Sequence, residues 1–337
     1  IANTTPLPVE LYGILAEARD SGVEALAMEV SSHALEERRS EAVEFDSAVF
    51  TNLTQDHLDF HGTMDSYEAA KLRLFTELPR QTSKRFCAAI NIGDHAGARL
   101  LALLDRDRAI PFGVANAEAV LACEPLDIRI DALRLRFSYN GEDLGVQDVP
   151  LGGAYNVENV LGAVAGCLGA GADLAAILDT LPRLRPVPGR FEMVPNEEGI
   201  GILVDYAHTP DALEKLLDAV APLTSGRIIT VFGCGGDRDR TKRPKMARAA
   251  SSRSDLTIVT SDNPRTEDPL QILRDVTAGI EGHVDWSGNC VSGAAATAIA
   301  DRGEAISCAV AMAEPGDVVV IAGKGHENYQ IIGRTKH

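Results

Sequence analysis

A chain of 337 residues is long for a single hydrophobic core and suits two domains. Its formal charge of −17 argues against partners held by bulk electrostatics, whether nucleic acid or an anionic membrane, and 45% hydrophobic residues support a globular fold. No apolar run approaches the roughly 18 residues of a membrane span, no signal peptide is evident, and the six scattered cysteines (Cys87, Cys123, Cys167, Cys234, Cys290, Cys308) form no Cys-x-x-Cys pair. A cytoplasmic protein with reduced, mostly buried thiols is expected.

Helix-like and strand-like segments alternate, which predicts mostly parallel sheets covered by helices. Residues 9–18 read as a helix, 25–30 as a short buried strand with Glu29 near its end, and 47–50 as a second strand. Residues 64–78 make an amphipathic helix, 118–150 alternate apolar and polar positions as a small antiparallel patch does, and 157–169 and 174–181 are helices. The stretch 183–190, with two prolines and a glycine in polar company, is the best boundary and gives domains 1–184 and 185–337. Beyond it strands are expected near 201–204, 228–232, 256–259 and 318–321, with helices between them. Residues 286–300 are alanine-rich and suggest no function. The chain opens at Ile1-Ala2-Asn3-Thr4-Thr5 without a methionine and closes on Ile331-Ile332-Gly333-Arg334 and three more residues. Both ends read as cuts through a longer protein.

Several of the loops carry groups suited to chemistry. On the helix 64–78 the apolar stripe is Met64, Tyr67, Leu74, Phe75 and Leu78, and Lys71 lies on it. A buried ammonium is costly, and burial favours the neutral amine, which can take up carbon dioxide to become an anionic carbamate. On the helix alone, a lysine that snorkels to water is the commoner arrangement. The loop Thr51-Asn52-Leu53-Thr54-Gln55-Asp56-His57 places a histidine after a strand. Glu29, His57 and a carbamylated Lys71 would form an oxygen-rich site that favours Mg²⁺ with phosphates over zinc.

Asp262-Asn263-Pro264-Arg265 follows the apolar run 256–259 and so falls at the carboxyl end of a strand, where open α/β sheets bind ligands. Pro264 stiffens the loop, and Arg265 offers a planar fork for a carboxylate. As a lone tetrapeptide it is equally a proline turn ending in a solvated arginine. Asp205 to Asp211, Gly233 to Arg240 and Gly323-Lys324-Gly325-His326-Glu327 likewise follow strands, and a glycine turn can offer backbone donors to an anion. Lys324 is not a phosphate-loop lysine, because no hydroxyl residue follows it, and no Gly-x-x-x-x-Gly-Lys-[Ser/Thr] occurs in the 337 residues.

In order along the chain, Asn3-Thr4-Thr5, Glu29-Val30-Ser31-Ser32-His33, Thr51-Asn52-Leu53 to His61-Gly62, Tyr67 to Lys71, Asn156 with Asn159, Pro188-Gly189-Arg190, Asp205 to Pro210, Gly233 to Asp239, Asp262 to Arg265 and Gly323 to Glu327 resemble the motifs of the Mur ligases. Within that family they are similar to the enzymes that add an amino acid to a UDP-MurNAc-dipeptide. The resemblance implies a UDP-binding N-terminal domain, a central P-loop-type parallel-sheet domain and a Rossmann-like C-terminal α/β domain. The first domain and the phosphate loop itself fall outside these residues, so the 337 residues alone are expected to be inactive.

The activity implied is ATP-dependent: a carboxylate is activated as an acyl phosphate with release of ADP, and an amine attacks it. Here the acceptor is UDP-MurNAc-L-Ala-D-Glu, and the Asp-Asn-Pro-Arg motif implies addition of meso-diaminopimelate in peptidoglycan synthesis, by a cytoplasmic monomer. By position, Lys71 resembles the carbamylated lysine, with Glu29 and His57 near Mg²⁺. Asn3, Thr4, Thr5, Ser31, Glu37 and Arg39 match contacts to the UDP-MurNAc-dipeptide, although Glu37 stands where glutamine is usual. Asn156, Asn159, Arg190, Asp205 and His208 match the nucleotide side. Arg238, Asp262, Asn263, Pro264, Arg265, Gly323 and Glu327 match the diaminopimelate pocket. The competing readings are a sister ligase (folylpolyglutamate synthetase or the D-Ala-D-Ala-adding Mur ligase) and a binding module without ATPase function.

Overall fold

The computed structural model describes residues 3–54, 57–288 and 293–337. The chain divides into two units, one of Ile1–Leu126, Leu135–Gln147 and Val157–Leu181, the other of Asp127–Arg134, Asp148–Asn156 and Pro182–His337.

The first sheet follows chain order: β1 (Ser47–Phe50), β2 (Cys87–Asn91), β3 (Ala109–Val114), β4 (Leu121–Ile128), β5 (Leu133–Tyr139) and β6 (Glu142–Val149). Its first four strands are parallel neighbours, with Phe50 opposite Ile90 and Phe112 opposite Leu121. β2 is buried from Ala88 to Asn91, as a strand covered on both faces must be. β5 instead alternates buried Leu133, Leu135 and Phe137 with exposed Arg134 and Arg136, so only one of its faces is covered. Asn140 and Gly141, at φ of 51° and 80°, make the two-residue turn that leads into β6.

The helices that accompany this sheet are α1 (Pro8–Asp20), α2 (Ser32–Glu36), α3 (Leu58–His61), α4 (Met64–Thr76), α5 (His95–Leu103), α6 (Tyr155–Gly169) and α7 (Leu174–Thr180). The Thr63 side chain accepts the Ser66 amide and starts α4, which buries Tyr67, Ala70, Leu74 and Phe75. Leu74 and Phe75 join Leu35, Phe50, Ile90 and Leu100 in one core.

The second sheet has the order β11 (Val284–Asp285), β12 (Ala296–Ala298), β10 (Leu256–Ser261), β9 (Ile228–Cys234), β13 (Val318–Ala322), β8 (Gly201–Asp205) and β7 (Glu192–Met193). All neighbours are parallel except the edge strand β7, which is antiparallel to β8. β9 and β10 are buried at every position. Leu213 and Leu217 of α8 (Pro210–Val220), Met246 of α9 (Lys242–Ser251) and Leu273 of α10 (Pro269–Thr277) form one core with Phe232 and Val259. Ala305 and Ala309 of α11 (Arg302–Met312) form another with Ile229, Ile258 and Val319. The α/β class with two helix-covered sheets is the one expected.

Two expectations are corrected, for residues 25–30 and for the thiols, and one strand was not foreseen. Residues 25–30 form no strand and are mostly exposed, because no described strand lies beside them to take up their backbone groups. Within residues 286–300, Ala296–Ala298 is a fully buried strand, while 289–292, with Cys290, lie outside the described residues. Cys308 is disulfide-bonded, and Cys167 is exposed, whereas Cys87, Cys123, Cys167 and Cys234 are free thiols. Among the described residues no helix is long and apolar enough to cross a membrane.

Candidate active site

In the first unit, candidate residues gather around Thr5, which is fully buried. Its hydroxyl donates to the Glu29 carbonyl at 2.9 Å and accepts the Ser31 amide at 3.0 Å. Arg39 Nη1 donates to the Thr5 carbonyl at 3.0 Å, and Arg39 Nε donates to the Glu37 carboxylate at 2.7 Å. Thr5, Ser31, Glu37 and Arg39 are thus brought into one bonded group, with Ser31 also capping α2 through its hydroxyl. Asn3 and Thr4 lie exposed beside them.

A cluster of rings adjoins this group. The His33 ring lies 4.8 Å from that of His57 and 5.5 Å from that of His61, and His57 lies 5.8 Å from Tyr67. His61 Nε2 is 2.9 Å from the Ser32 hydroxyl. Burial, then the neighbouring imidazoles of His33 and His57, hold His61 below its ordinary pKa. His57 stands at φ 54°, in left-handed backbone at the start of α3.

Lys71 is half-buried rather than enclosed by its helix stripe. Its Nζ lies 3.5 Å from the Asn52 carbonyl and 5.2 Å from the Tyr67 ring centroid. Lys71 sits beside Ala70 and one turn from Tyr67, Leu74 and Phe75, the positions α4 buries, and so is covered only in part, between an enclosed amine and a lysine that snorkels to water. Among the described residues no three His, Cys, Asp or Glu side chains converge as a metal cage. Glu29 is exposed, while His57 and Lys71 are partly covered; Mg²⁺, which keeps several waters and takes phosphate oxygens, would need only part of its shell from these residues.

In the second unit, the loops after β9, β10 and β13 meet. Gly236 donates its amide to the Asn263 carbonyl at 2.9 Å, and Arg265 Nη1 returns a bond to the Gly236 carbonyl at 2.9 Å. Thr266 donates its hydroxyl to Asp237 at 2.8 Å, and Asp237 donates its amide to Glu267 at 2.6 Å. A Cβ on Gly236 would sit 1.9 Å from the Pro264 carbonyl, so only glycine fits between the two loops. Arg265 itself adopts φ 50°. One guanidinium nitrogen is therefore spent on holding the loops together, and Nε and Nη2 have no bond to the protein among the described residues. Arg238 is exposed on the first loop.

Beneath the loops lies Arg243, with no exposed surface. It donates to both oxygens of Glu267, to Asp275 at 2.8 Å and to the Gly235 carbonyl at 3.3 Å. Those bonds hold the Glu267 carboxyl down at about 2.

Asp262, Asn263 and Lys324 are also buried. Asn263 donates Nδ2 to Glu327 Oε2 at 3.1 Å and accepts the Ile331 amide at 2.9 Å. Lys324, Arg302 and Arg243 are enclosed cations whose burial sequence reasoning did not foresee, although Lys324 was singled out within the glycine turn 323–327.

The residues of the nucleotide side are separate from this group. Arg190 lies 4.5 Å over the Tyr206 ring, which stacks on His326 and meets His208 edge-on. Asp205 accepts the amides of Phe191 and Ala207, each at 2.8 Å. Asn156, near the start of α6, donates to the Gly152 carbonyl at 2.7 Å, and Asn159 is one turn further on.

Residues 1–167 match the Mur ligase middle domain, and residues 189–325 match the Mur ligase glutamate ligase domain. The chain is 46% identical over 351 residues to the UDP-N-acetylmuramoyl-L-alanyl-D-glutamate--2,6-diaminopimelate ligase of Geobacter sulfurreducens, with 99% of this chain and 67% of that protein covered. It is 46% identical over 336 residues to the protein of the same name from Trichormus variabilis, with 99% of this chain and 65% of that protein covered. The chain therefore spans about two thirds of the length of the curated relatives it matches. A solved structure of such a ligase superposes with a TM-score of 0.67 at 37% identity, covering 99% of this chain and 66% of that one. A folylpolyglutamate synthase from Thermotoga maritima superposes with a TM-score of 0.61 at 16% identity over 85% of this chain and 59% of that one, a likeness of fold alone.

Proposed function

The chain belongs to the Mur ligase family, and from that premise we propose that it serves an ATP-dependent ligase joining meso-2,6-diaminopimelate to the D-Glu γ-carboxylate of UDP-MurNAc-L-Ala-D-Glu, a step in making peptidoglycan precursors. The observation that carries this reading is the meeting of Asp262, Asn263, Arg265 and Glu327 at the carboxyl ends of β10 and β13. A pocket with buried charges of both signs suits an amino acid with a charged group at each end. Buried polar sites of this kind reject an analogue that lacks one partner by roughly 10⁴-fold, which is what separating diaminopimelate from lysine requires.

The acceptor carboxylate is first phosphorylated by ATP, and the amine then displaces phosphate from the acyl phosphate. Glu29, His57 and a carbamylated Lys71 would hold Mg²⁺ in part, and the ion would supply charge neutralisation at the phosphates. Ser31 and Arg39, anchored by the buried Thr5, hold the dipeptide end of the acceptor beside Asn3, Thr4 and Glu37. Asn156, Asn159, Arg190, Asp205 and His208 serve the nucleotide, with the Tyr206 ring fixing the Arg190 guanidinium. Arg265 keeps Nε and Nη2 for the distal carboxylate of diaminopimelate, while Nη1 fixes the loop. Arg238 and the loop at Gly323 complete that end.

The test is ADP release by the protein expressed from its complete gene, with diaminopimelate and lysine offered side by side. Faster turnover of lysine sinks the assignment.

A further inference from the structure

The Gly323-Lys324-Gly325 segment is not used by the reading above, except for its first glycine. Gly323 and Gly325 adopt φ of 108° and 49°, and a Cβ on Gly325 would lie 2.8 Å from the Gly189 carbonyl. The two glycines let the chain turn sharply on each side of Lys324, and the lysine points inward, 7% exposed. Its ammonium lies 2.7 Å from the Tyr329 carbonyl, 3.1 Å from Asn263 Oδ1 and 3.3 Å from Glu327 Oε2. It also forms an ion pair with Asp262 Oδ1 at 3.1 Å, off the axis of a hydrogen bond, so that Oδ1 remains without a hydrogen-bond partner among the described residues.

One side chain therefore ties the end of β10 to the loop after β13. Asn263 cannot flip its amide, because Oδ1 accepts Lys324 and the Ile331 amide while Nδ2 donates to Glu327. Without the ammonium, two carboxylates would share a buried site with too little compensation, and one would swing away or take a proton. Arg302 adds a second buried cation: Nη2 donates to the Ala322 carbonyl at 3.0 Å, and Nη1 has no partner among the described residues. Lys324 and Arg302 balance Asp262 and Glu327, and Arg265 at the same loop ends adds one positive charge. A group so balanced has no net pull on a bare ammonium, and it suits an end group that brings both an ammonium and a carboxylate.

We propose that Lys324 is a positioning residue that orients Asp262, Asn263 and Glu327 and so sets the preference for a zwitterionic end group over a bare ammonium. This rests on the function proposed above. It is tested by Lys324→Met and Lys324→Arg in the protein expressed from its complete gene, with KM determined for each of the three substrates.

For Lys324→Met, the diaminopimelate KM should rise about tenfold or more while the KM values for ATP and the nucleotide-linked acceptor stay within about twofold. The ratio of kcat/KM for diaminopimelate to that for lysine should fall by about tenfold or more. Lys324→Arg keeps the buried charge and with it the fold, but its planar fork cannot meet the same four oxygens. It should raise the diaminopimelate KM by about threefold or more, and it decides the matter if the methionine variant does not fold. An unchanged diaminopimelate KM in the arginine variant, or a parallel rise in all three KM values, overturns the proposal. If the unaltered protein prefers lysine, the function reading fails separately, and the positioning role is then judged on the lysine KM.

Discussion

Replacing Arg243 with methionine should destabilise the second unit by about 3–5 kcal/mol at neutral pH, because one member of a fully buried ion cluster is removed while its partners stay. The magnitude can be worked from Glu267, whose side chain is 11% exposed and whose carboxyl is held at about 2 instead of its ordinary 4.5, chiefly by bonds from Arg243. That difference is worth about 3 kcal/mol. Asp275, also held low, loses its 2.8 Å bond to the same guanidinium. Because Glu267 has a depressed folded pKa, its contribution is complete above about 4.5 and is lost as pH falls towards 2. Urea unfolding of the two proteins from pH 7 to pH 3.5 should therefore show a gap that is widest at pH 7 and narrows below 4.5. A gap below about 1 kcal/mol at pH 7, or one that widens in acid, would refute the reasoning.

Arg265→Ala should raise the diaminopimelate KM by an amount corresponding to about 2–5 kcal/mol and leave the ATP KM nearly unchanged; a parallel rise in both would mean that its bond to Gly236 matters more than the substrate. Lys71→Ala should abolish ligation, and added short carboxylates should restore part of it; full activity in the variant rules out a carbamate there. Gly236→Ala forces the two loops apart and should cost about 1–3 kcal/mol by thermal or urea unfolding, together with a raised diaminopimelate KM. An unshifted melting curve would show that the loops are not pressed together.

Much of the second sheet was legible because β9, β10 and β13 are continuous runs of β-branched and apolar residues, which parallel strands buried on both faces must be. β12 was not, because two of the three residues of Ala296–Ala298 are alanines, which are depleted in strands, and a single threonine between them marks no strand without the neighbours β10 and β11. The opposite error occurred at residues 25–30, where an apolar run suggested a strand but the partner that would make it one is a tertiary fact. Site residues such as Asp262 and Asn263 could be read because they follow a strand directly. The cations that hold them could not: Lys324, Arg302 and Arg243 look like ordinary surface charges in sequence, and only the packing shows them enclosed. Lys71 was left open between enclosure and snorkelling, since a helical stripe predicts which side faces the core but not how far each side chain is covered.

The strand that arrives last in the second sheet is also one of its innermost. β13 lies between β8 and β9 and pairs with both, so β8 must wait for it through more than a hundred residues of synthesis and β9 through more than eighty. Until Val318–Ala322 leaves the ribosome, β8 and β9 each present a bare inner edge, the surface through which strands pair wrongly with other chains. A nascent chain stalled before that point is a natural client for a chaperone, and a stop codon there would be expected to yield aggregate in place of a shorter soluble protein. The same few residues bring Lys324 and Glu327 into place, so closing the sheet and assembling the pocket are a single late event in the life of the chain.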